Sequence, residues 1–401
     1  MNTTPNANRI HITFIGKTNS GKSSLMNAII GQDISIVSPI EGTTTDPVSK
    51  SMELIPLGPV LFTDTAGLED NTELGKVRIE KTLNTLLKTD FAIYVMSAKD
   101  IDINLYKKTI NKFKEQNISY ITVINKMDII EKNKIDNIKK IIEDPIFVSS
   151  NDINSILNLK DLIIKNLSKT KEDEDDTIIG NLLPHNSKVI MVIPIDSEAP
   201  KGRLILPQVQ LIRDCLDHGI KSYVVRDTEL KAALDDLKNV DLIITDSQAF
   251  KKVNNIVPKN IKLTSFSILL ANYKGDLKTF VEGTKAINTL NENSKILISE
   301  SCTHNYSHED IGRVKIPNMI NSHVDKKLNY EFKMGESFPQ DVDKYDLIIH
   351  CGACMVNKKS MDSKLKLCME KNVPITNYGI LISYLTGILD RSIEVFNIKL
   401  K

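Results

Sequence analysis

The sequence has no excess of charge of either sign. Its 52 lysine and arginine residues are almost balanced by 51 aspartate and glutamate residues. A protein with this balance has no global field that would attract nucleic acid or an anionic membrane surface. We therefore expect no nucleic-acid partner, although a local basic patch is compatible with the composition.

Long hydrophobic runs are also missing. The polar segment 1–8 is followed by one apolar stretch of strand length, and no run approaches the roughly 18 apolar residues that indicate a membrane span. Cysteine is scarce as well, and five unevenly spaced cysteines do not form the pattern of a disulfide framework. The sequence predicts a cytoplasmic protein with neither a signal peptide nor a membrane partner.

The order of the predicted elements defines three units. Strands and helices alternate along residues 10–168, which indicates a largely parallel sheet covered on both faces. An acidic run at 169–176 is typical of a solvated linker, and two further βα stretches follow it. The expected fold class is α/β, a P-loop domain followed by two smaller α/β domains with largely parallel sheets. The expected boundaries are 1–170, 177–272 and 273–401.

The middle unit contains few helical stretches, so we expect its sheet to be poorly covered. Burying that sheet against a second copy of the chain would remove the exposed surface. The sequence therefore predicts a homodimer that forms through this unit.

The first loop of the chain has the pattern of a phosphate-binding loop. Residues 16–23 read Gly-Lys-Thr-Asn-Ser-Gly-Lys-Ser between a predicted strand and a predicted helix, as the GxxxxGKS pattern requires. The glycines let consecutive backbone N–H groups wrap phosphates at a helix N-terminus. Lys22 can supply a cation to the β and γ oxygens, and Ser23 can ligate Mg²⁺. The predicted nucleotide-binding residues of this segment are Gly16, Asn19, Ser20, Gly21, Lys22, Ser23 and Ser24.

Two further motifs follow predicted strands. In Asp-Thr-Ala-Gly, Asp64 can hold Mg²⁺ through water and Gly67 can offer its N–H to a γ-phosphate. In Asn-Lys-Met-Asp, the Asp128 carboxylate can accept hydrogen bonds from the ring N–H and the amine of guanine. Adenine has an acceptor where guanine has that ring donor, so ATP binding would cost about 2–4 kcal/mol. The sequence thus predicts a GTP site, completed by Asn125, Lys126, Ser149 and Ser150.

Residues 10–168 resemble the TrmE/Era branch of small GTPases, through these motifs and through Gly-Thr-Thr-Thr-Asp at 42–46. The resemblance implies that Thr44, rather than Thr43 or Thr45, contacts Mg²⁺ and that Asn19 helps to hold a K⁺ ion. Position 68 is Leu68, where Ras-like proteins place a Gln that orients the attacking water. We expect slow, K⁺-stimulated GTP hydrolysis. The residues expected to act on the phosphates and Mg²⁺ are Lys22, Ser23, Thr44, Asp64 and Gly67.

A second group of candidate residues lies in the last third of the chain. Cys302-Thr-His304 is followed, after 46 residues, by Cys351-Gly-Ala-Cys354, and both groups follow predicted strands. Ligands gather at the carboxyl ends of strands in open α/β sheets, and the CxxC spacing brings two thiolates to one metal centre. The pattern fits a tetrahedral Zn²⁺ site that includes His304, an iron–sulfur cluster, or buried cysteines without a ligand.

Cys215 and Cys368 have no cysteine or histidine neighbour with which to form a ligand pair. Both lie in helix-like stretches. We expect them to be small core residues.

Together with the GTPase motifs, the CxH and HCxxC patterns make the whole chain resemble the HydF family of [FeFe]-hydrogenase maturation GTPases. The resemblance implies a scaffold that holds a [4Fe-4S] cluster through Cys302, Cys351 and Cys354. Such a scaffold receives a di-iron precursor made with two radical-SAM maturases and delivers it to apo-[FeFe]-hydrogenase. The resemblance also makes the middle unit the dimerisation domain. The fourth ligand of the cluster is open among Glu309, His304, His308 and His350, with Glu309 and His304 ranked first.

Two functions of other classes are compatible with the motifs. A GTPase with a structural zinc site could act in tRNA modification or ribosome assembly, but the near-zero net charge argues against an RNA partner. A GTP-regulated redox protein could use the CxxC as a dithiol, but the CxH partner and the lack of a thioredoxin-like helix start argue against it. In the scaffold, we expect the nucleotide state to change partner contacts through the switch loops.

Overall fold

The structure, a computed structural model, describes residues 4–31, 47–68, 73–129, 132–172, 177–195, 202–301, 310–335 and 338–398. The chain forms two compact units, Met1–Glu174 and Asp175–Lys401. Within the described residues, no helix combines the length and the hydrophobicity that crossing a bilayer requires.

The first unit is built on one six-stranded sheet. Its strands are β1 (Ile10–Ile15), β2 (Val48–Leu54), β3 (Gly58–Asp64), β4 (Phe91–Ser97), β5 (Ser119–Asn125) and β6 (Ile146–Phe147). The strand order is β2-β3-β1-β4-β5-β6, and all pairs are parallel except β2 with β3. Its helices are α1 (Lys22–Ile30), α2 (Glu73–Leu86), α3 (Ile103–Glu115), α4 (Lys132–Ile141) and α5 (Ile153–Glu172).

Helices cover both faces of this sheet. Alternate strand residues such as Phe14 and Val95 pack with α1 and α5 on one face, and residues such as Ile15 and Tyr94 pack with α3 and α4 on the other. Burial on both faces explains why β4 is apolar along nearly its whole length. The carboxyl ends of β1, β3, β4 and β5 therefore meet at one edge, where loops can assemble a site.

The second unit contains two four-stranded parallel sheets. The first has the order β10-β9-β7-β8 and the second the order β12-β11-β13-β14. The strands are β7 (Lys188–Val192), β8 (Lys221–Val225), β9 (Leu242–Thr245), β10 (Lys262–Ser265), β11 (Lys295–Glu300), β12 (Asn329–Met334), β13 (Leu347–His350) and β14 (Ile375–Asn377).

Nine α-helices of the second unit lie within the described residues. They are α6 (Leu206–Asp217), α7 (Leu230–Asp236), α8 (Phe250–Ile256), α9 (Phe266–Lys274), α10 (Leu277–Gly283), α11 (Ile316–Val324), α12 (Lys358–Glu370), α13 (Tyr378–Leu385) and α14 (Leu389–Ile393). A five-residue π-helix, Ile311–Lys315, leads directly into α11. The expected α/β class with largely parallel sheets is confirmed.

Helix α9 packs against both sheets of this unit. Its Leu269 and Leu270 join the core of the first sheet, and its Ile268 and Ala271 join the core of the second. The predicted boundary between residues 272 and 273 falls inside this helix, and the division of the unit into two domains stays a prediction.

The expectation that the sheet of the middle segment is poorly covered is wrong. Helices α6 and α9 pack on one face of β7–β10, and α7 and α8 pack on the other. The sequence reasoning did not count α8 and α9. Helix α9 is apolar around most of its surface and gives little amphipathic signal, and α8 has only seven residues, too few for a helical period to show. A bare face therefore gives no reason for self-association.

One repeated sequence has a structural explanation. Asp241-Leu-Ile-Ile and Asp346-Leu-Ile-Ile each lead into a central strand, and the strand begins at the leucine. Each aspartate accepts a hydrogen bond at 2.8 Å from the backbone N–H of the lysine that begins the neighbouring strand, Lys188 or Lys295. The Asp90 carboxylate receives the His11 N–H at 2.7 Å in the same way. The motif therefore fixes the register where two parallel strands begin.

Candidate functional site

The loop between β1 and α1 is held tightly against the sheet. A Cβ on Gly16 would lie 2.1 Å from the Val95 carbonyl oxygen, so only glycine fits there. Asn19 and Gly21 adopt left-handed backbone conformations, with φ of 60° and 92°. The loop therefore turns sharply into the N-terminus of α1, which is the geometry that exposes backbone N–H groups to an anion.

Two side chains from the start of α1 meet the end of β3. Ser23 Oγ donates to Asp64 Oδ2 at 2.5 Å. The Lys22 ammonium donates to the carbonyls of Gly16 and Lys17 at 3.2 and 3.0 Å, and burial lowers its pKa to about 8 against the opposing effect of Asp64. A hydroxyl and a fully buried carboxylate together form an oxygen donor set that suits Mg²⁺.

The segment after β3 touches the phosphate-binding loop. A Cβ on Gly67 would lie 2.1 Å from Thr18 Oγ1 and 2.7 Å from the Thr18 backbone nitrogen, so this approach requires glycine. The Leu68 N–H donates to the Gly16 carbonyl at 3.3 Å. The Leu68 side chain packs against the apolar core beneath, so it offers no polar group to a water at this position.

The loops after β5 and β6 are joined by hydrogen bonds, and the loop after β5 is also hydrogen-bonded to the phosphate-binding loop between β1 and α1. Asn125, which is fully buried, donates to the carbonyls of Ser20 and Gly21, both at 3.4 Å, and accepts from Ser150 Oγ at 3.3 Å. The Lys126 ammonium donates to the Asn19 carbonyl at 2.7 Å. Three of the sequence motifs are therefore joined by hydrogen bonds at one edge of the sheet.

Asp128 and Ser149 line a cavity of about 610 Å³. Ser149 Oγ donates to Asp128 Oδ1 at 2.7 Å, which orients the carboxylate.

Two further predicted positions complete the nucleotide motifs. Ser24 lies half-buried on α1. Thr44, with Thr43 and Thr45, lies outside the described residues.

The second candidate site lies at the carboxyl ends of β11 and β13. Cys351 follows β13 and is buried, whereas Cys354 is half-buried. The backbone N–H of Ser301, the residue directly before Cys302 in the sequence, donates to Cys351 Sγ at 3.2 Å. Ala353 has a φ of 56°, so the loop between the two cysteines passes through a left-handed turn.

A buried lysine supports this loop. Lys274, at the end of α9, is 1% exposed, and its ammonium donates to the carbonyls of Ala353, Cys354 and Val356 at 3.0, 3.2 and 2.9 Å. Burial lowers the pKa of Lys274 to about 8, and the Cys354 and Cys351 thiolates act in the opposite direction.

His350 is fully buried beside the same loop. Its Nδ1–H donates to the Cys351 carbonyl at 2.9 Å, and its Nε2 accepts from the Lys364 ammonium at 3.0 Å. Burial and the neighbouring Lys364 charge hold the pKa of His350 well below its usual range. Both ring nitrogens are therefore engaged in hydrogen bonds.

Tyr378 and Glu300 form a buried pair next to these residues. Tyr378 Oη donates to Glu300 Oε1 at 2.9 Å. Burial raises the pKa of Tyr378 well above its usual range, and the charges of Glu300, Cys351 and Asp310 add to that effect. Asp310, the residue directly after Glu309, caps the π-helix through the Arg313 N–H at 2.8 Å.

The remaining predicted ligands, Cys302, His304, His308 and Glu309, lie outside the described residues. Among the residues that are described, no group of three or more metal-binding side chains is present. Cys215 on α6 and Cys368 on α12 are fully buried in apolar cores.

Sequence reasoning missed the two lysines of this site. Lys364 has a signal, because it falls on the buried stripe of α12 with Met361, Leu365 and Cys368, at helical spacing. Lys274 has a weaker signal, a charge that ends an otherwise apolar helix. For neither lysine does the sequence indicate which group accepts the hydrogen bonds of its ammonium, a backbone carbonyl for Lys274 or the His350 ring nitrogen for Lys364.

Three family models match the chain. One, described as 50S ribosome-binding GTPase, matches residues 11–126. The models described as Hydrogen maturase F dimerization domain and Hydrogen maturase F tetramerization domain match residues 178–275 and 278–395. The two maturase models thus follow one another through most of the second unit.

Among curated proteins, GTPase Der of Sulfurimonas denitrificans is 36% identical over 141 residues, which are 34% of this chain and 28% of that protein. The tRNA modification GTPase MnmE of Mesoplasma florum is 34% identical over 155 residues, which are 38% of this chain and 34% of that protein. This chain therefore spans about a third of the length of these relatives.

Among solved structures, an Aquifex aeolicus Era variant bound to GDP·AlF4⁻ shares 27% identity over 39% of this chain and 56% of that chain, with a TM-score of 0.34.

The first unit has the P-loop GTPase fold that the motifs predict, and the second unit matches both maturase-specific domains. The chain therefore belongs to the hydrogen maturase F (HydF) family.

Proposed function

We propose that this protein is a GTP-hydrolysing scaffold of [FeFe]-hydrogenase maturation. It binds a [4Fe-4S] cluster and delivers a di-iron precursor to apo-[FeFe]-hydrogenase in the cytoplasm. The observation that carries the proposal is at Cys351, whose sulfur accepts the N–H of Ser301, the residue directly before Cys302. The residue before one proposed ligand, Cys302, is thus hydrogen-bonded to the sulfur of a second proposed ligand, Cys351. The chain that carries this arrangement belongs to the HydF family.

The nucleotide chemistry follows from the edge of the first sheet. Lys22 neutralises phosphate oxygens, and Ser23 and Asp64, already in contact, would hold Mg²⁺. When bound, Mg²⁺ supplies positive charge to the β and γ oxygens. Gly67 packs closely against Thr18 of the phosphate-binding loop, where its N–H would meet a γ-phosphate. Asp128, oriented by Ser149, recognises guanine. Leu68 supplies no group to orient water, so intrinsic hydrolysis is slow.

Potassium stimulation is proposed through Asn19. This residue is exposed in a left-handed turn, and its side chain makes no hydrogen bond to the part of the chain that the structure describes. GTP hydrolysis should therefore be faster in KCl than in NaCl, and Asn19→Ala should remove the difference. Equal wild-type rates in the two salts would contradict this role.

The donor chemistry at β11 and β13 fits an iron–sulfur cluster. Cys351, Cys354 and Cys302 are the proposed ligands. A [4Fe-4S] cluster held by three thiolates keeps one iron with an exchangeable ligand, which suits a carrier. Glu309 and His304 stay the first candidates for that ligand, ahead of His308. His350 is disfavoured because both of its ring nitrogens are already engaged.

The experiment that tests the proposal is activation of apo-[FeFe]-hydrogenase. The protein is first incubated with the two radical-SAM maturases and their substrates, then re-isolated and mixed with apo-hydrogenase. Wild type and Cys215→Ser should generate hydrogen evolution, and Cys354→Ser should not. Absence of activation by the wild-type protein would contradict the carrier function.

The same components test what GTP does. Switch loops that order around a γ-phosphate would change contacts with the partner. The dissociation rate of apo-hydrogenase should therefore differ between the GTP, GDP and nucleotide-free forms. Equal rates in the three forms would contradict the switch.

A further inference from the structure

Lys274 is a buried cation without a carboxylate partner. It is 1% exposed, and its hydrogen bonds go to three backbone carbonyls. No carboxylate among the described residues forms an ion pair with it. Three carbonyls satisfy the three N–H donors of the ammonium, and an opposite charge would stabilise the buried cation further. The charge of Lys274 is therefore hydrogen-bonded but, within the described residues, is not balanced by a negative charge.

The nearest source of that charge is the cysteine loop itself. The Lys274 ammonium donates to the backbone carbonyl of Cys354 itself at 3.2 Å, so a charge on this cysteine would lie close to the ammonium. Thiols become thiolates when they bind a metal centre. Ligand binding would therefore supply the negative charge that the lysine lacks.

The hydrogen bonds of Lys274 also shape the loop. The carbonyls of Ala353, Cys354 and Val356 all point to the ammonium, and the Cys351 carbonyl points to His350. The carbonyls on the two sides of the Ala353 left-handed turn are therefore fixed by buried donors. Lys274 belongs to α9, which packs on both sheets, so its position is set by the core rather than by the loop.

We propose that Lys274 is a positioning residue of the cluster site, which fixes the Cys351–Cys354 loop and whose positive charge favours the reduced state of the bound cluster. Reduction adds one negative charge, and the potential of a cluster depends on its local charge and hydrogen bonds. Removal of the cation should therefore make reduction harder. This inference rests on the proposed cluster-binding function.

The test separates the effect of the Lys274 charge from the effect of its hydrogen bonds to the loop. Lys274→Gln keeps N–H donors without the charge, and Lys274→Met removes both. Lys278→Gln, on the exposed side of α10, is the matched control for loss of a lysine charge. Each protein is reconstituted anaerobically with iron and sulfide. Iron content, the EPR spectrum and the midpoint potential are then measured, and thermal unfolding of the full chain reports folding.

The ratio of reduced to oxidised cluster at a fixed potential should fall about tenfold in Lys274→Gln, which corresponds to about 59 mV for a one-electron couple. Lys274→Gln should keep most of its iron, Lys274→Met should lose more, and Lys278→Gln should match wild type. A Lys274→Gln cluster with the wild-type potential would overturn the charge role. Full iron content and an unchanged EPR spectrum in Lys274→Met would overturn the loop role.

Iron uptake by the wild-type protein reports on the proposed function alone. If wild type binds no cluster, the proposed function fails and the role of Lys274 fails with it. If wild type binds a cluster and the variants behave like Lys278→Gln, only the role of Lys274 fails.

Discussion

The Asp128 carboxylate is the single group on which base selection is expected to depend. Ser149 orients it through a 2.7 Å hydrogen bond, and it is the carboxylate that the Asn-Lys-Met-Asp motif contributes to the cavity. Asp128→Asn should weaken GTP binding by about 2–4 kcal/mol, or roughly 30- to 1,000-fold, because an amide cannot accept both guanine donors. Isothermal titration calorimetry with GTP measures this loss.

Asp152 offers a matched control for that change. It lines the same cavity and accepts the Asn154 N–H through Oδ1, a bond that an asparagine oxygen also makes. Asp152→Asn removes the same charge and should leave the GTP affinity within about twofold of wild type. Equal losses in the two variants would show that only local charge matters, and would contradict base recognition by Asp128.

Cysteine reactivity should separate the core thiols from the candidate ligands. Burial raises the pKa of Cys215 and of Cys368 to about 12, and both are fully buried. The thiolate is the form that reacts. Iodoacetamide at pH 8, applied to the metal-free native protein, should therefore label half-buried Cys354 well before these two. Mass spectrometry measures the order in which the cysteines are labelled. As a control, all five cysteines should react in guanidinium. Early labelling of Cys368 would contradict its assignment to the core.

The meeting of the nucleotide motifs at one edge of the sheet could be predicted at the scale of residues, because a phosphate loop needs particular residue types at fixed spacing. Lys22, Ser23, Asp64 and Asn125 lie together as the motifs imply. Lys274 could not be predicted in this way. Its partners are backbone carbonyls 79 to 82 residues away, and the sequence of a carbonyl-bearing loop says nothing about where the carbonyls point.

Among the elements, β8 differs from the other strands of its sheet. It is an edge strand, and Val224 on it is 48% exposed. The opposite edge strand, β10, is covered by the α14 segment, where the Ser392 carbonyl accepts from Thr264 Oγ1. An edge strand of a sheet offers unpaired backbone groups for pairing with another chain. We therefore expect the homodimer to form along β8 and the α6 helix that precedes it.

Charge placed on this edge should separate the subunits. Leu216 on α6 is 66% exposed and Val224 lies on β8, so Leu216→Lys with Val224→Lys should weaken dimerisation at least about tenfold. Met369→Lys changes an equally exposed apolar residue on α12 and should leave the dimer intact. Analytical ultracentrifugation measures the dissociation constant. An unchanged dimer in the double variant would place the interface elsewhere.

The elements also show where sequence patterns stop being informative. Long buried strands such as β1 and β4 and capped helices such as α12 could be predicted from their apolar runs and their flanking residues. Strand β14 has three residues and β10 has four, too few for a period to show. Strand β7 ends at Val192 although Ile193 and Ile195 continue the apolar run, because Pro194 has no N–H to donate to a ladder.

At the scale of the whole molecule, the nucleotide residues lie in the first compact unit and the cysteine loop lies in the second. The proposed function therefore requires that a change at one site be transmitted to the other or to a shared partner. Such coupling is reciprocal for binding. A partner that binds the GTP form more tightly must itself tighten GTP binding by the same factor.

The most direct test of the central claim is the iron and sulfide content of the full chain, reconstituted anaerobically, with EPR of the reduced protein. We expect about four irons and four sulfides per chain, with a reduced [4Fe-4S] signal. Cys302→Ala, Cys351→Ala and Cys354→Ala should each lose that signal, and Cys368→Ala, which removes a buried core thiol, should keep it. One tightly bound zinc with no uptake of iron would contradict the scaffold and make the cysteine site structural.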